Sequence, residues 1–350
     1  MRAVARLRVL LVDDSVLSLG ELQRLLEADG DFEVVGHARD GEQALREVMA
    51  LRPDAIVLDL QMPRMDGFTF LRLLMARRPT PVIVLSSNSR RADVFKTLEL
   101  GALDFVAKPE RGGLESVREE LLAKCAVIRG LRIENLASHS RPDHEPADPR
   151  PLVEPARLVV IGASTGGPQA LQELLGALPG DLPVSVVVAQ HMPGKFTRAF
   201  AERLGRSSAC TVAEASEGDL VAAGRVLIAP GGHHLELRRE SGTGTLRVSL
   251  VPPEAGGYSA RYCPSIDRLF TSAALAMPRR LCGVVLTGMG DDGAAGVRAV
   301  KAAGGFTIAE SEMTAVIYGM PRAAVATGRV DVSLGLSEIA GRIAAYAMDG

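Results

Sequence analysis

The chain has 350 residues, of which 47% are hydrophobic and 23% charged, with a formal net charge of −2. That length predicts two domains, with enough apolar material for a core in each. The near-neutral charge, 4% aromatic content and lack of Trp argue against a nucleic-acid partner, which needs clustered cations and stacking rings.

Residues 7–125 alternate apolar runs with amphipathic stretches. Strands are predicted over 8–12, 32–38, 55–58, 81–85 and 102–107, and helices over 18–28, 41–51, 67–77 and 92–100. The first apolar run stops at Asp13-Asp14, so no signal peptide is expected, and no run is long enough to predict membrane insertion. A helical pattern over 114–135 follows. Residues 138–155 then lose apolar periodicity and carry four prolines before Pro155, so they read as a linker. A second alternating unit, richer in glycine, begins at Arg157. The expected domains are 1–130 and 157–350, joined by 131–156. Alternation of this kind predicts two doubly wound α/β domains with parallel sheets.

Chemistry-bearing residues in the first unit fall at strand ends. Asp13 and Asp14 follow the first strand, Asp59 ends the third, Ser86 follows the fourth, and Lys108-Pro109 follows the fifth. A parallel sheet brings such ends to one edge. Carboxylates gathered there repel one another unless a hard cation sits between them, and Mg²⁺ suits oxygen ligands. A lysine opposite could neutralise an acyl-phosphate. Taken singly, Asp13 and Asp14 could be helix caps and Lys108-Pro109 a surface turn.

Residues 7–125 resemble the receiver domains of two-component response regulators, which are flavodoxin-like. The resemblance implies Asp59 as phospho-acceptor, with Asp13, Asp14 and Asp59 holding Mg²⁺. It implies Ser86 as switch hydroxyl, Phe105 as switch aromatic and Lys108 as the phosphate contact. A receiver does not specify its output, so the second unit must.

In the second unit, Leu158-Val-Val-Ile-Gly-Ala-Ser164-Thr-Gly-Gly-Pro168 reads as strand, sharp turn and helix, with Ser164 at the apex. Glycines permit the turn and clear space around the hydroxyl, and the helix start offers free N–H groups to a developing negative charge. The same stretch alone also fits a phosphate-binding turn. His191 ends an apolar run over 182–189, and Asp291-Asp292 lie in a glycine-rich turn after the run over 281–286, ahead of a helical pattern over 294–302. Serine needs a base, imidazole is suited to supply it, and an aspartate can orient the imidazole. Each has a plainer reading, as a structural hydrogen-bonder or a helix cap. His233-His234 lacks a partner cluster of metal-ligating residues and is expected to serve a substrate-side or structural role.

The second unit resembles the catalytic domain of CheB-type chemotaxis methylesterases, which are protein-glutamate methylesterases. The carrying stretches are Ile161-Gly-Ala-Ser-Thr-Gly-Gly-Pro, Gln190-His-Met-Pro, Ile228-Ala-Pro-Gly-Gly-His-His, Pro264-Ser-Ile-Asp, Leu286-Thr-Gly-Met-Gly-Asp-Asp-Gly and Tyr318-Gly-Met-Pro-Arg. Tyr262-Cys263 departs from the family pattern, which has a His shortly before Pro-Ser-Ile/Val-Asp. The stretch Glu312-Met-Thr-Ala is also less regular than the usual form.

The resemblance implies a Rossmann-like α/β serine hydrolase with Ser164 as nucleophile, His191 as base and Asp292 as orienting acid. Backbone N–H groups at Thr165 and Met289 would form the oxyanion hole. It implies a phosphorylation-activated esterase that releases methanol from glutamate methyl esters of chemoreceptors and deamidates receptor glutamines. Methyl-accepting receptors would be the substrate and a chemotaxis histidine kinase the phosphodonor, with a monomeric enzyme needing no cofactor for hydrolysis. A nucleotide-binding or interaction module without hydrolase activity is the alternative. However, Gly162–Gly167 lacks the Gly-x-Gly-x-x-Gly fingerprint, because Ser164 replaces its middle glycine. The four cysteines, Cys125, Cys210, Cys263 and Cys282, form no Cys-x-x-Cys pair. Neither zinc nor disulfides are expected, and a reducing cytoplasm fits.

Overall fold

The computed structural model describes residues 5–86, 91–109, 113–131, 152–254 and 262–348, with the backbone alone for Ser86, Arg91 and Ala92. The chain divides into two compact units, Met1–Ser138 and His139–Gly350.

The first unit holds five parallel strands, β1 (Leu7–Val12), β2 (Phe32–Ala38), β3 (Ala55–Asp59), β4 (Val82–Ser86) and β5 (Asp104–Ala107). Their order is β2-β1-β3-β4-β5. Val9, Leu10 and Leu11 expose no surface, as expected of a strand covered on both faces. The helices are α1 (Val16–Glu27), α2 (Gly41–Leu51), α3 (Gly67–Arg77), α4 (Arg91–Glu99) and α5 (Arg118–Ala126). Ser15, Asp40 and Asp66 cap the first three by accepting from the N–H groups of Ser18, Gln43 and Thr69, which satisfies donors that the helix itself cannot.

The helix expected over 114–135 is not continuous. A 3₁₀ turn (Leu114–Val117) precedes α5 and another (Val127–Gly130) follows it; residues 132–135 lie outside the described residues. Val127 and Ile128, adjacent in the second turn, are both buried.

The second unit is built on seven parallel strands in the order β14-β13-β12-β6-β7-β9-β8. These are β6 (Arg157–Ala163), β7 (Val184–Gln190), β8 (Thr211–Glu214), β9 (Arg225–Ile228), β12 (Leu281–Val285), β13 (Phe306–Glu310) and β14 (Val332–Leu334). A separate antiparallel hairpin, β10 (His234–Arg239) with β11 (Leu246–Val251), interrupts the alternation. The hairpin is additional to the parallel sheet read from the sequence. Its Leu235, Leu237, Leu246 and Val248 join the core with α8 (Ile266–Ala276), so apolar residues alternate instead of running continuously. The remaining helices are α6 (Gly167–Ala177), α7 (Gly194–Arg206), α9 (Ala294–Ala302), α10 (Met320–Ala326) and α11 (Leu336–Met348).

Each sheet has a point where strand order reverses. In the first it lies between β1 and β3, and in the second between β6 and β12, with β7 on the other side of β6. Crevices at the carboxyl ends of such strands are where open α/β sheets hold ligands.

Candidate active site and phospho-acceptor site

Ser164, His191 and Asp292 follow β6, β7 and β12, three neighbouring strands. The turn after β6 closes through the N–H of Gly167 to the Ser164 carbonyl (2.8 Å), and the Ser164 N–H donates to the Thr287 carbonyl (3.0 Å). Gly166 is left-handed, with φ 78°. A β-carbon there would stand 2.9 Å from Val316 Cβ and 3.1 Å from Thr287 Oγ1, so both backbone conformation and space demand glycine. The Ser164 hydroxyl is half-buried and makes no hydrogen bond among the described residues.

His191 Nε2 lies 2.9 Å from Asp292 Oδ2. The carboxylate of Asp292 is 4% exposed yet well served. Oδ2 also accepts from the Ile266 N–H (2.8 Å), and Oδ1 from the Asp267 N–H (2.9 Å) and Ser265 Oγ (3.2 Å). It thus sits on the first turn of α8, where unpaired N–H groups and the helix dipole favour an anion. Burial opposes its charge, but His191 and these amides together hold its carboxyl below the usual carboxylate range. An ionised carboxylate only accepts hydrogen bonds. Nε2 therefore carries the imidazole proton and Nδ1 keeps the lone pair. Nδ1 makes no hydrogen bond among the described residues. Asp291, by contrast, is exposed.

Four groups around this set went unread in the sequence. Gln190 is 2% exposed, and its Nε2 donates to the carbonyls of Ser164 (2.9 Å) and His191 (3.0 Å), tying two strand ends together. Glu310, at the end of β13, accepts from the Thr287 N–H (2.8 Å). Thr287 Oγ1 in turn donates to the Thr165 carbonyl (2.9 Å). Burial pushes the Glu310 carboxyl up to about 7, against the pull of Thr287 and Thr314. Asp267 accepts from the N–H groups of Gly293 (2.9 Å) and Gly296 (2.6 Å), so α8 and α9 cap one another through Asp267 and Asp292. Tyr262 stacks on His191, with ring centroids 4.6 Å apart and planes inclined by 6°. Pro-Ser-Ile-Asp was visible as a motif, but the use of its Asp267 was not. Gln190 and Tyr262 stand in stretches the sequence singled out, but their contacts were not legible there, and Glu310 carried no local signal.

Of the two expected oxyanion donors, Met289 N–H makes no hydrogen bond among the described residues, and Thr165 is buried. His234 is fully buried at the start of β10, where its Nδ1 accepts from the Ser265 N–H (3.1 Å), while His233 is exposed. Burial pushes the thiols of Cys125 and Cys282 up to about 12 and that of Cys263 up as well, which disfavours a cysteine nucleophile. All four cysteines are free.

At the edge of the first sheet, ligand atoms of Asp13, Asp14 and Asp59 lie within 4.8 Å of one another. Lys108 Nζ is 2.9 Å from both Asp13 Oδ2 and Asp59 Oδ1. Asp13 also accepts from Ser15 N–H (2.9 Å) and Ser18 Oγ (2.7 Å). Burial raises the Asp59 carboxyl, with Lys108 pulling the other way. Burial disfavours the Lys108 charge, but Asp59 and Asp13 outweigh it and the ammonium is held above its usual range. Three hard oxygen donors around one cation fit Mg²⁺ chemistry. Phe105 is 2% exposed on β5, with Lys124 Nζ 5.2 Å from its ring centroid. Ser86 ends β4 opposite Ala107; its side chain lies outside the described residues.

A flavodoxin-like domain with aspartates and a lysine at its strand ends, joined to an α/β domain with serine, histidine and aspartate at its own, defines a class: a response-regulator receiver coupled to a hydrolase domain. Residues 159–343 match the family model for CheB methylesterase, and residues 9–117 that for the response regulator receiver domain. The chain is 65% identical to protein-glutamate methylesterase/protein-glutamine glutaminase 6 of Anaeromyxobacter dehalogenans, over 98% of this chain and 96% of that protein. It is 46% identical to protein-glutamate methylesterase/protein-glutamine glutaminase 3 of Geobacter sulfurreducens, over 97% and 96%. The crystal structure of the Thermotoga maritima CheB methylesterase catalytic domain aligns with a TM-score of 0.52 at 37% identity, covering 54% of this chain and 98% of that one. The chain belongs to the CheB methylesterase family, and the nucleotide-binding alternative is not favoured.

Proposed function

We propose that this protein is a phosphorylation-activated protein-glutamate methylesterase that also deamidates glutamine, acting on chemoreceptors in sensory adaptation. The observation that carries the proposal is the 2.9 Å pairing of His191 Nε2 with a buried Asp292, one strand over from the half-buried Ser164. The activities for which its 65% and 46% identical relatives are named support the substrate class.

In the proposed reaction, Ser164 Oγ attacks the γ-carbonyl of the methylated glutamate while His191 Nδ1 takes the hydroxyl proton. Asp292 stabilises the resulting imidazolium and holds the ring. The backbone N–H groups of Thr165 and Met289 face the oxyanion. The tetrahedral intermediate collapses, the C–O bond to the methoxy group breaks, and the imidazolium protonates it to methanol. Water then attacks the acyl-serine with Nδ1 as base, and the glutamate carboxylate and Ser164 hydroxyl are restored. With a glutamine, ammonia leaves in place of methanol.

In the receiver, 1–130, Asp59 is the phospho-acceptor and Lys108 pairs with the phosphoryl group, with Ser86 and Phe105 as switch residues. Asp13, Asp14 and Asp59 would hold Mg²⁺, which offsets phosphoryl charge when bound. Residues 131–156 link the receiver to the catalytic domain, 157–350. A chemotaxis histidine kinase is the proposed phosphodonor and the cytoplasm the proposed compartment, with the enzyme monomeric. Among the described residues no helix is long and apolar enough to cross a membrane.

A serine-directed sulfonyl fluoride tests the assignment. Stoichiometric modification mapped by mass spectrometry to Ser164, with loss of esterase activity, is the expected result. Full modification elsewhere, with Ser164 untouched and activity lost, would overturn it.

A further inference from the structure

His191 is constrained from two directions. In the plane of its ring, Asp292 engages Nε2. Against its face lies Tyr262, nearly parallel at 4.6 Å. The phenol reaches from the imidazole to the glycine-rich turn that carries Asp292. A β-carbon on Gly290, which has φ 90°, would collide with Tyr262 Oη. Tyr262 therefore belongs to a third segment of the site, immediately before Cys263-Pro264 and the Ser265 whose Oγ reaches Asp292 Oδ1 (3.2 Å).

A ring hydrogen-bonded at one nitrogen can still tip about that bond. Tipping redirects Nδ1, and misaimed proton transfer is slow. A parallel, face-to-face neighbour removes that freedom. Its π face also favours the imidazolium that forms during turnover.

We propose that Tyr262 is a positioning residue of the esterase: its ring stacks on His191 and holds Nδ1 aimed at Ser164. The proposal rests on His191 being the base.

The test is methanol release from a methylated receptor by the full-length protein with acetyl phosphate present. Tyr262→Leu, which keeps bulk and loses the ring, is expected to lower kcat by about tenfold or more, since orientation is what it removes. KM should stay within about twofold, because binding is not what the stack supplies. Tyr262→Phe restores the ring and is expected to restore kcat. If Tyr262→Leu fails to fold, Tyr262→Gln, also ringless, replaces it with the same expectation. Wild-type kcat in the ringless variant would overturn the proposal. So would a raised KM at unchanged kcat, which would make Tyr262 a substrate contact. His191→Ala, run alongside, separates the two levels. If it turns over normally, the base assignment itself fails; if it is dead while the ringless variant is fully active, only the role of Tyr262 fails.

Discussion

At the residue scale the site depends on which carboxylate serves the imidazole. Asp292 takes four hydrogen bonds, whereas Asp291 is exposed. Asp292→Asn should lower kcat by about two to four orders of magnitude, because an amide can present its N–H to Nε2 and reverse the tautomer. Asp291→Asn should change it by less than about threefold. Methanol release from the two purified variants decides the matter, and a damaging Asp291→Asn would move the assignment by one residue. A second prediction concerns Glu310. Its carboxyl rises from an ordinary 4.5 to about 7 on folding because it is buried. The folded state therefore binds the proton more tightly than the unfolded one. Its contribution to stability is whole below 4.5 and is lost as pH rises through 7, roughly 3 kcal/mol in all. Glu310→Gln keeps an acceptor for Thr287 and removes the titration. Melting curves between pH 5 and pH 8 should show wild type losing stability relative to the variant, whereas parallel curves would deny the shift. Ser164, His191 and Asp292 were legible because each ends an apolar run in a glycine-bearing turn. Glu310 was not, since a carboxylate closing a strand looks like any solvent-facing Glu until burial is known.

At the element scale, α8 and α9 are held by reciprocal capping. Asp292 precedes α9 and accepts from the start of α8, while Asp267 lies in α8 and accepts from Gly293 and Gly296. The orientation of the Asp292 carboxylate is thereby tied to the packing of two helices. Asp267→Ala should cost about 1–2 kcal/mol in denaturant unfolding, the usual size of a lost cap. It should also reduce kcat, because the turn bearing Asp292 loosens. Unchanged stability would show that the bonds from Gly293 and Gly296 contribute nothing. Most parallel strands and the helix over 294–302 were readable from apolar periodicity. The hairpin of β10 and β11 and the broken helix after position 113 were not. In both, tertiary packing against a neighbouring element selects the conformation, and local pattern leaves more than one open.

At the scale of the whole molecule, two units with sites at their sheet edges share one chain. Asp59→Asn should leave the full-length enzyme at its unstimulated rate when acetyl phosphate is added, and deleting residues 1–150 should remove the response altogether. An Asp59→Asn protein still stimulated by the donor would place the phospho-acceptor elsewhere. The measurement that bears most directly on the whole account is methanol release from a methylated chemoreceptor, comparing wild type with a folded Ser164→Ala variant. The account predicts steady release by wild type, increased by acetyl phosphate, and a loss of at least about a thousandfold in the variant. Release by Ser164→Ala within about tenfold of wild type would contradict it.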